Sequence, residues 1–458
     1  MKERFYDQLI FMLLCLIGGI SFTFLSCSDD KDDGDTAFNA SKPVEVTDFL
    51  PKSGGVGSRI IIYGSNFGND TSKISVTIGG IKSKVINVKN NVLLCMVPSK
   101  AFSGEIRVTI LDENGHEVGS GECAEKFDYS RKWFVTTFIG QMYDNHTKYD
   151  VKDGPFGDCG GFERILNMQF DPQDHDKLFL VGYDKSFRIV DFKNQYVSTF
   201  TTNIDKVSDI TWTLDGDLVL SRDQTSDTNT GLYLYTRESN FQNRQELYNA
   251  RGVRGISTHP INGRIYYTRY AAGECDSYNV ETGEFHKECN LPRTRTSVLI
   301  TWHPTGKYCY FTLLERHTIW RSDYDPVKDE LSQPYLICGK DNTTGWADGV
   351  GASVRLNKPL QGTFVKNPDY AGQDDEYDFY FCDNRNHCIR VLTPTGRVYT
   401  YAGRADTDGT GVRGYRDGDL RTEAKFYYPE GLVYDTQRNC FFIGDTNNRC
   451  IRKIAPEE

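Results

Sequence analysis

The chain has 458 residues and a formal net charge of −10, from 53 Lys and Arg against 63 Asp and Glu. Nucleic acid and anionic membrane surfaces attract the opposite sign, so neither is an expected partner. A hydrophobic content of 38%, with 13% aromatic residues and 42 glycines, suits a β-rich chain with many turns and more than one domain.

Residues 1–26 read as a processing signal. Lys2 and Arg4 precede an apolar core at residues 9–20, too short and too Gly-rich for a membrane span. The core ends in Phe24-Leu25-Ser26-Cys27, followed by Ser28-Asp29-Asp30-Lys31-Asp32-Asp33. This arrangement resembles a bacterial lipoprotein cleavage box, and the acidic run is similar to the tag on exported lipoproteins of some Gram-negative gut bacteria. The resemblance implies acyl chains on Cys27, each buried methylene adding about 0.8 kcal/mol. It places the protein at the outer membrane, facing the exterior, in contact with the bilayer only through the lipid. Residues 27–42 have little to bury and read as a flexible tether.

Residues 43–129 alternate in the strand period, most clearly at 60–63, 74–78 and 106–110. Pro51, Gly54, Gly57, Gly64-Ser65-Asn66-Phe67-Gly68, Gly79-Gly80 and Gly104 punctuate them. The segment resembles an IPT/TIG domain, an immunoglobulin-like β-sandwich, which implies a rigid spacer or contact surface.

Residues 130–458 contain a repeat. Asp383-Asn384-Arg385-Asn386-His387-Cys388-Ile389-Arg390 returns as Asp445-Thr446-Asn447-Asn448-Arg449-Cys450-Ile451-Arg452, 62 positions on (445 − 383). The lead-in Trp346-Ala347-Asp348-Gly349 returns as Tyr415-Arg416-Asp417-Gly418. Repeated short strands without helical periodicity mean a β-propeller. Six apolar inner strands are expected, at 165–171, 207–214, 253–259, 297–303, 360–365 and 431–435. Asp171-Pro172, His259-Pro260 and His303-Pro304 stop three of them, which gives both histidines an ordinary place at a turn. Trp212 and Trp302 share one inner-strand position and read as blade packing. The last blade lacks an outer strand of the kind seen at 334–339 and 398–403. Residues 133–140 have that shape, so this N-terminal strand is expected to complete the sixth blade and close the ring.

The repeat residues resemble NHL repeats, strongly in blades five and six and weakly in the others, where Phe187-Arg188-Ile189 and Ile319-Trp320-Arg321 remain. A TIG domain with an NHL propeller on a lipoprotein is similar to outer-membrane lipoproteins of glycan-degrading gut bacteria. The fold class is therefore all-β: an immunoglobulin-like sandwich, then a six-bladed NHL-type propeller.

Of the thirteen cysteines, eleven lie outside the signal and anchor, without metal-site spacing. Buried thiols are expected, with Cys388 and Cys450 between blades; Cys275 and Cys289 flank a hairpin and are the one pair placed to approach each other.

Long connections precede blade one (141–163), blade five (340–358) and blade six (404–428), neighbours around the ring. They are expected to form one wall on one face, where long loops carry function. Trp346, Tyr415 and Tyr149 supply aromatic faces there, and Arg385, Arg404, Arg413 and Arg416 supply donors, a mixture suited to sugar rings. Trp346 and Tyr415 as pins for their own loops is the competing expectation. Asp383, Asn386, Asp445 and Asn448 are expected to satisfy turn backbones. No nucleophile motif or zinc spacing accompanies the scattered histidines, so no catalytic residues and no cofactor are assigned; an Asp/Asn ring in the channel leaves calcium open. The reading that results is a surface lipoprotein binding a glycan or glycoconjugate and serving a neighbouring outer-membrane uptake complex. The alternatives are a propeller-type hydrolase or lyase, and a protein-docking scaffold.

Overall fold

The structure, a computed structural model, describes residues 37–457 except 100, 141–149, 183–186, 202–203 and 408. The signal, Cys27 and Tyr149 lie outside the described residues. Among the described residues no helix is long and apolar enough to cross a membrane. The chain divides into two compact units at residues 130/131.

The first unit is the sandwich. Its strands follow one hydrogen-bonded path, in which Ile81–Lys89 pairs first with Ile74–Ile78 and then with Val92–Met96. One long strand thus passes from one layer to the other. Alternation does the rest: Ile60 and Ile62, Val76 and Ile78, and Ile106, Val108 and Ile110 enter one core, with Phe49, Phe67 and Phe127 filling it. The Gly79-Gly80 turn needs glycine, because a Cβ on Gly79 (φ +55°) would meet the Phe102 carbonyl oxygen at 1.9 Å.

The second unit is six antiparallel sheets. The inner strands are Asn167–Phe170, Val207–Trp212, Val253–Thr258, Val298–Trp302, Pro359–Lys366 and Pro429–Asp435, each at its expected place. Trp133–Ile139 pairs antiparallel with Cys450–Pro456 along its length, so the sixth blade joins strands from both ends of the unit. Val135 seals this seam, fully buried with Leu432, Ile443 and Ile454. The outer strands of blades four, five and six end in Gly339, Gly403 and Gly140, all at positive φ. A Cβ there would press on the neighbouring strand's turn, 2.4 Å from the His317 carbonyl oxygen at Gly339 and 2.7 Å from that of His387 at Gly403. The glycine ending each outer strand is therefore a packing requirement.

The long connections do something the sequence did not suggest. Each lays a two-residue strand on the outer edge of the blade it precedes: Gly154–Pro155 on blade one, Gly349–Val350 on blade five and Gly418–Asp419 on blade six. Each then buries apolar residues in the gap beside that blade: Cys159 and Phe162, Val354 and Leu356, Ala424 and Phe426. Much of the expected wall is edge protection and wedge filling.

All eleven described cysteines are free and buried. Cys275 and Cys289 face each other across two strands as thiols. Trp212 and Trp302 are buried between blades, and His259 and His303 anchor turns, accepting from Ile261, Asn262 and Thr305 backbone N–H groups.

Candidate functional site

In an antiparallel blade the second-to-third connection shares a face with the link to the next blade. On that face the repeat octets build duplicate networks. Arg390 is fully buried, and its Nη atoms donate to the Arg355 and Ala347 carbonyls (2.7 and 2.8 Å), to Asp383 (3.1 Å) and to Asp348 (2.7 Å). Arg452 repeats this with the Lys425 and Arg416 carbonyls (3.0 and 2.7 Å), Asp445 (2.9 Å) and Asp417 (2.5 Å). Blade one keeps a weaker version, with Arg188 donating to the Lys152 carbonyl and lying 3.6 Å from Asp153. The aspartates thus do more than satisfy their own turns: Asp383 also accepts from Asn357 N–H, and Asp445 from Tyr427 N–H, in the preceding long connection. Burial pushes the Asp445 carboxyl up to about 6, with Arg452 opposing the shift.

Trp346 and Tyr415 occupy one register in these networks. The Trp346 indole N–H donates to the Thr400 hydroxyl (3.0 Å), and the Tyr415 hydroxyl lies 2.7 Å from that of Thr137. Thr400 and Thr137 belong to the outer strands of blades five and six, so the two rings sit one blade apart. Both pin loops to strand edges, yet both remain 44% and 41% exposed.

The arginines divide. Arg416 lies 4.0 Å from Glu423. Arg404, Arg385 and Arg413 gather at the junction of blades five and six. The Arg404 guanidinium lies 4.1 Å from the Trp346 ring centroid and donates to the Asn386 carbonyl (3.0 Å). Arg385 lies over Tyr428 (5.6 Å) and Arg413 over Tyr427 (5.2 Å), with the two tyrosine rings 5.0 Å apart. His387 stands between them, its Nδ1 accepting from Tyr428 N–H (3.3 Å), which leaves its proton on Nε2. Burial and the charges of Arg413, Arg404 and Arg385 push this imidazole down to about 4, so it is neutral. Tyr427 and Tyr428 were absent from the site read from sequence; the signal was the Tyr-Tyr pair directly before Pro429, opposite the repeat octet.

The axis is filled. Gln361 accepts from Leu432 and Met168 N–H groups and donates to the Met168 carbonyl, bridging three inner strands. Arg164 pairs bidentately with Glu430 at 2.7 and 3.0 Å. Asp209 accepts from Ile210 and Ile256 N–H groups (2.8 and 3.0 Å). Among the described residues no group of three or more His, Cys, Asp or Glu is arranged to hold a metal ion.

Two cavities open on the opposite face. One of about 650 Å³ lies between blades five and six, lined by Trp133, Tyr380, Tyr401, Tyr434 and Phe441. Its residues come from separate strands, so no sequence motif marks it. The other, about 340 Å³, lies at the channel mouth beside Trp212 and Trp302.

The comparisons agree with this architecture. Residues 43–129 match the IPT/TIG domain. An auxiliary nutrient binding protein from Bacteroides ovatus is 49% identical, with a TM-score of 0.76 over 92% of this chain and 100% of that one. A Bacteroides thetaiotaomicron protein described as a candidate phosphatase is 35% identical, with a TM-score of 0.76 over 92% of this chain and 99% of that one. Human NHL repeat-containing protein 2 is 31% identical over 25% of this chain and 14% of its own length. The chain spans only 9–14% of the curated relatives it matches. The full-length match decides the assignment: this chain belongs to the family of the Bacteroides ovatus auxiliary nutrient binding protein, an all-β family joining a TIG sandwich to a six-bladed NHL-type propeller.

Proposed function

We propose that the protein captures a nutrient glycan or glycoconjugate on the long-loop face, between blades five and six, and presents it to a neighbouring outer-membrane uptake complex. One observation carries the reading: three aromatic–guanidinium pairs, Trp346/Arg404, Tyr428/Arg385 and Tyr427/Arg413, lie together on one exposed face. Flat ring faces accept the C–H faces of sugars, and in-plane N–H groups meet their hydroxyls. The opposite cavity suits this less well, since its Lys366 is held by Glu376 and its Arg421 by the Gly403 carbonyl. The printed name of the Bacteroides ovatus relative supports nutrient capture in general.

Anchoring belongs to the same proposal: Cys27 carries lipid and holds the chain at the outer membrane, facing out. Radiolabelled palmitate entering the wild type and not Cys27→Ala tests it. For the site, a glycan array and then calorimetric titration of hits are the direct measurements. Trp346→Ala is expected to weaken binding at least tenfold without unfolding the protein, and Trp346→Phe to retain part of it. Equal affinity in all three proteins removes Trp346 as a contact.

A further inference from the structure

The cations at the blade five/six junction lack, among the described residues, the carboxylate partners that many cations elsewhere in this protein have. Arg390, Arg452, Arg316, Arg293, Arg222 and Arg254 all reach a carboxylate. Arg385, Arg404, Arg413 and Lys358 reach none among the described residues. The nearby carboxylates are committed: Asp383 to Arg390, Asp341 to Arg316 and Arg293, and Glu315 to Thr296 and Ser297. Asp406 accepts from Gly411 N–H. A chain of net charge −10 therefore concentrates unpaired positive charge on one strip.

The donors are also unspent. The Arg404 Nε is buried without a hydrogen-bond partner, and Arg404 uses one Nη on the Asn386 carbonyl. Arg385 and Arg413 make ring contacts and, among the described residues, no side-chain hydrogen bond. A guanidinium laid on an aromatic ring has one face covered and its edge open. That edge carries the planar fork that fits a carboxylate or sulfate with two parallel bonds. Lys358 adds a fourth charge beside Arg385, since both act on the same buried imidazole, His317. Like charges held this close repel one another unless an anion is supplied. Among the described residues no carboxylate pairs with any of the four, and Glu315 acts only at a distance, on the same imidazole.

We infer that the ligand of this strip is an anionic oligosaccharide, its carboxylate or sulfate groups received by Arg385, Arg404 and Arg413 while its rings lie against Trp346, Tyr427 and Tyr428. The inference rests on the glycan reading above and narrows it to one chemical class. Aromatic faces alone would serve a neutral sugar; four cations that pair with no carboxylate among the described residues serve a charged one.

The test is calorimetric titration of the purified full chain with three oligosaccharides of equal length: an oligogalacturonate, a chondroitin sulfate oligosaccharide and a neutral malto-oligosaccharide. The expected result is binding of one or both charged ligands, at least tenfold tighter than the neutral one, weakening in about 0.5 M salt. The uronate and sulfate arms distinguish the two sources of negative charge. Arg385→Gln with Arg413→Gln is expected to weaken charged-ligand binding at least tenfold, and Arg385→Lys with Arg413→Lys to restore part of it. Circular dichroism melting confirms that each variant is folded. Neutral and charged ligands bound alike, with the glutamine variant unaffected, overturns this inference and leaves glycan capture standing. No binding to any of the three, nor to a glycan array, overturns both.

Discussion

At the scale of single residues, the propeller is organised by buried arginines that hold loops to blades. Arg452 compensates Asp445 within a fully buried pair, so removing one partner strands the other. Arg452→Met is expected to cost about 3–5 kcal/mol in urea unfolding, and adding Asp445→Asn to recover part of the loss. Arg188→Met should cost less, because Asp153 is 40% exposed and keeps its water. His387 gives a pH signature. Its folded value near 4 lies below the ordinary 6.5, so the unfolded chain takes up a proton first. Its contribution is present above pH 6.5 and is lost as pH falls toward 4. Asp445 works oppositely, holding its proton up to about pH 6 in the fold, so bulk stability mixes the two. The clean measurement is the His387 ring by NMR: a titration near 4, rising in Arg385→Gln or Arg413→Gln. The register of Trp346 and Tyr415 was legible, because both precede an Asp-Gly pair. Their anchors were not: Thr400 lies 54 residues from Trp346 and Thr137 lies 278 from Tyr415, and pattern says nothing about contacts at such separations.

At the scale of elements, inner strands were readable because proline and glycine mark their ends and apolar residues fill them. The outer-edge strands were not, since Gly154–Pro155, Gly349–Val350 and Gly418–Asp419 have two residues each, too few for any periodicity. Loop length alone suggested a free wall. The apolar residues inside those loops (Phe162, Val354, Leu356, Phe426) were the overlooked sign that they pack. The pairing of Trp133–Ile139 with Cys450–Pro456 carries its own expectation. In native-state hydrogen exchange Trp133–Ile139 should open only with the rest of its blade, because its one long partner, Cys450–Pro456, is itself paired with Cys440–Asp445. Faster exchange of Trp133–Ile139 alone would show the seam to be loose.

At the scale of the molecule, two units with separate cores share one chain. All eleven described thiols are buried, and desolvation raises Cys275, Cys309, Cys382 and Cys450 well above the usual thiol range. The native protein is expected to resist a thiol reagent such as Ellman's, and all eleven to react once guanidinium unfolds it. Nine instead of eleven would reveal a bridge between Cys275 and Cys289. Composition already pointed to an acidic β-rich chain, but no count of residues could foretell that Arg385, Arg404 and Arg413 would gather on one strip without a carboxylate partner among the described residues.

The shared sixth sheet also dictates how the molecule must be born. A ribosome finishes Trp133–Ile139 roughly three hundred residues before it makes Cys450–Pro456, so any blades formed before then would make an open arc with a bare edge at either end. Such an arc is the form most prone to stick to its neighbours. Folding only once the whole length has been made would bypass that intermediate.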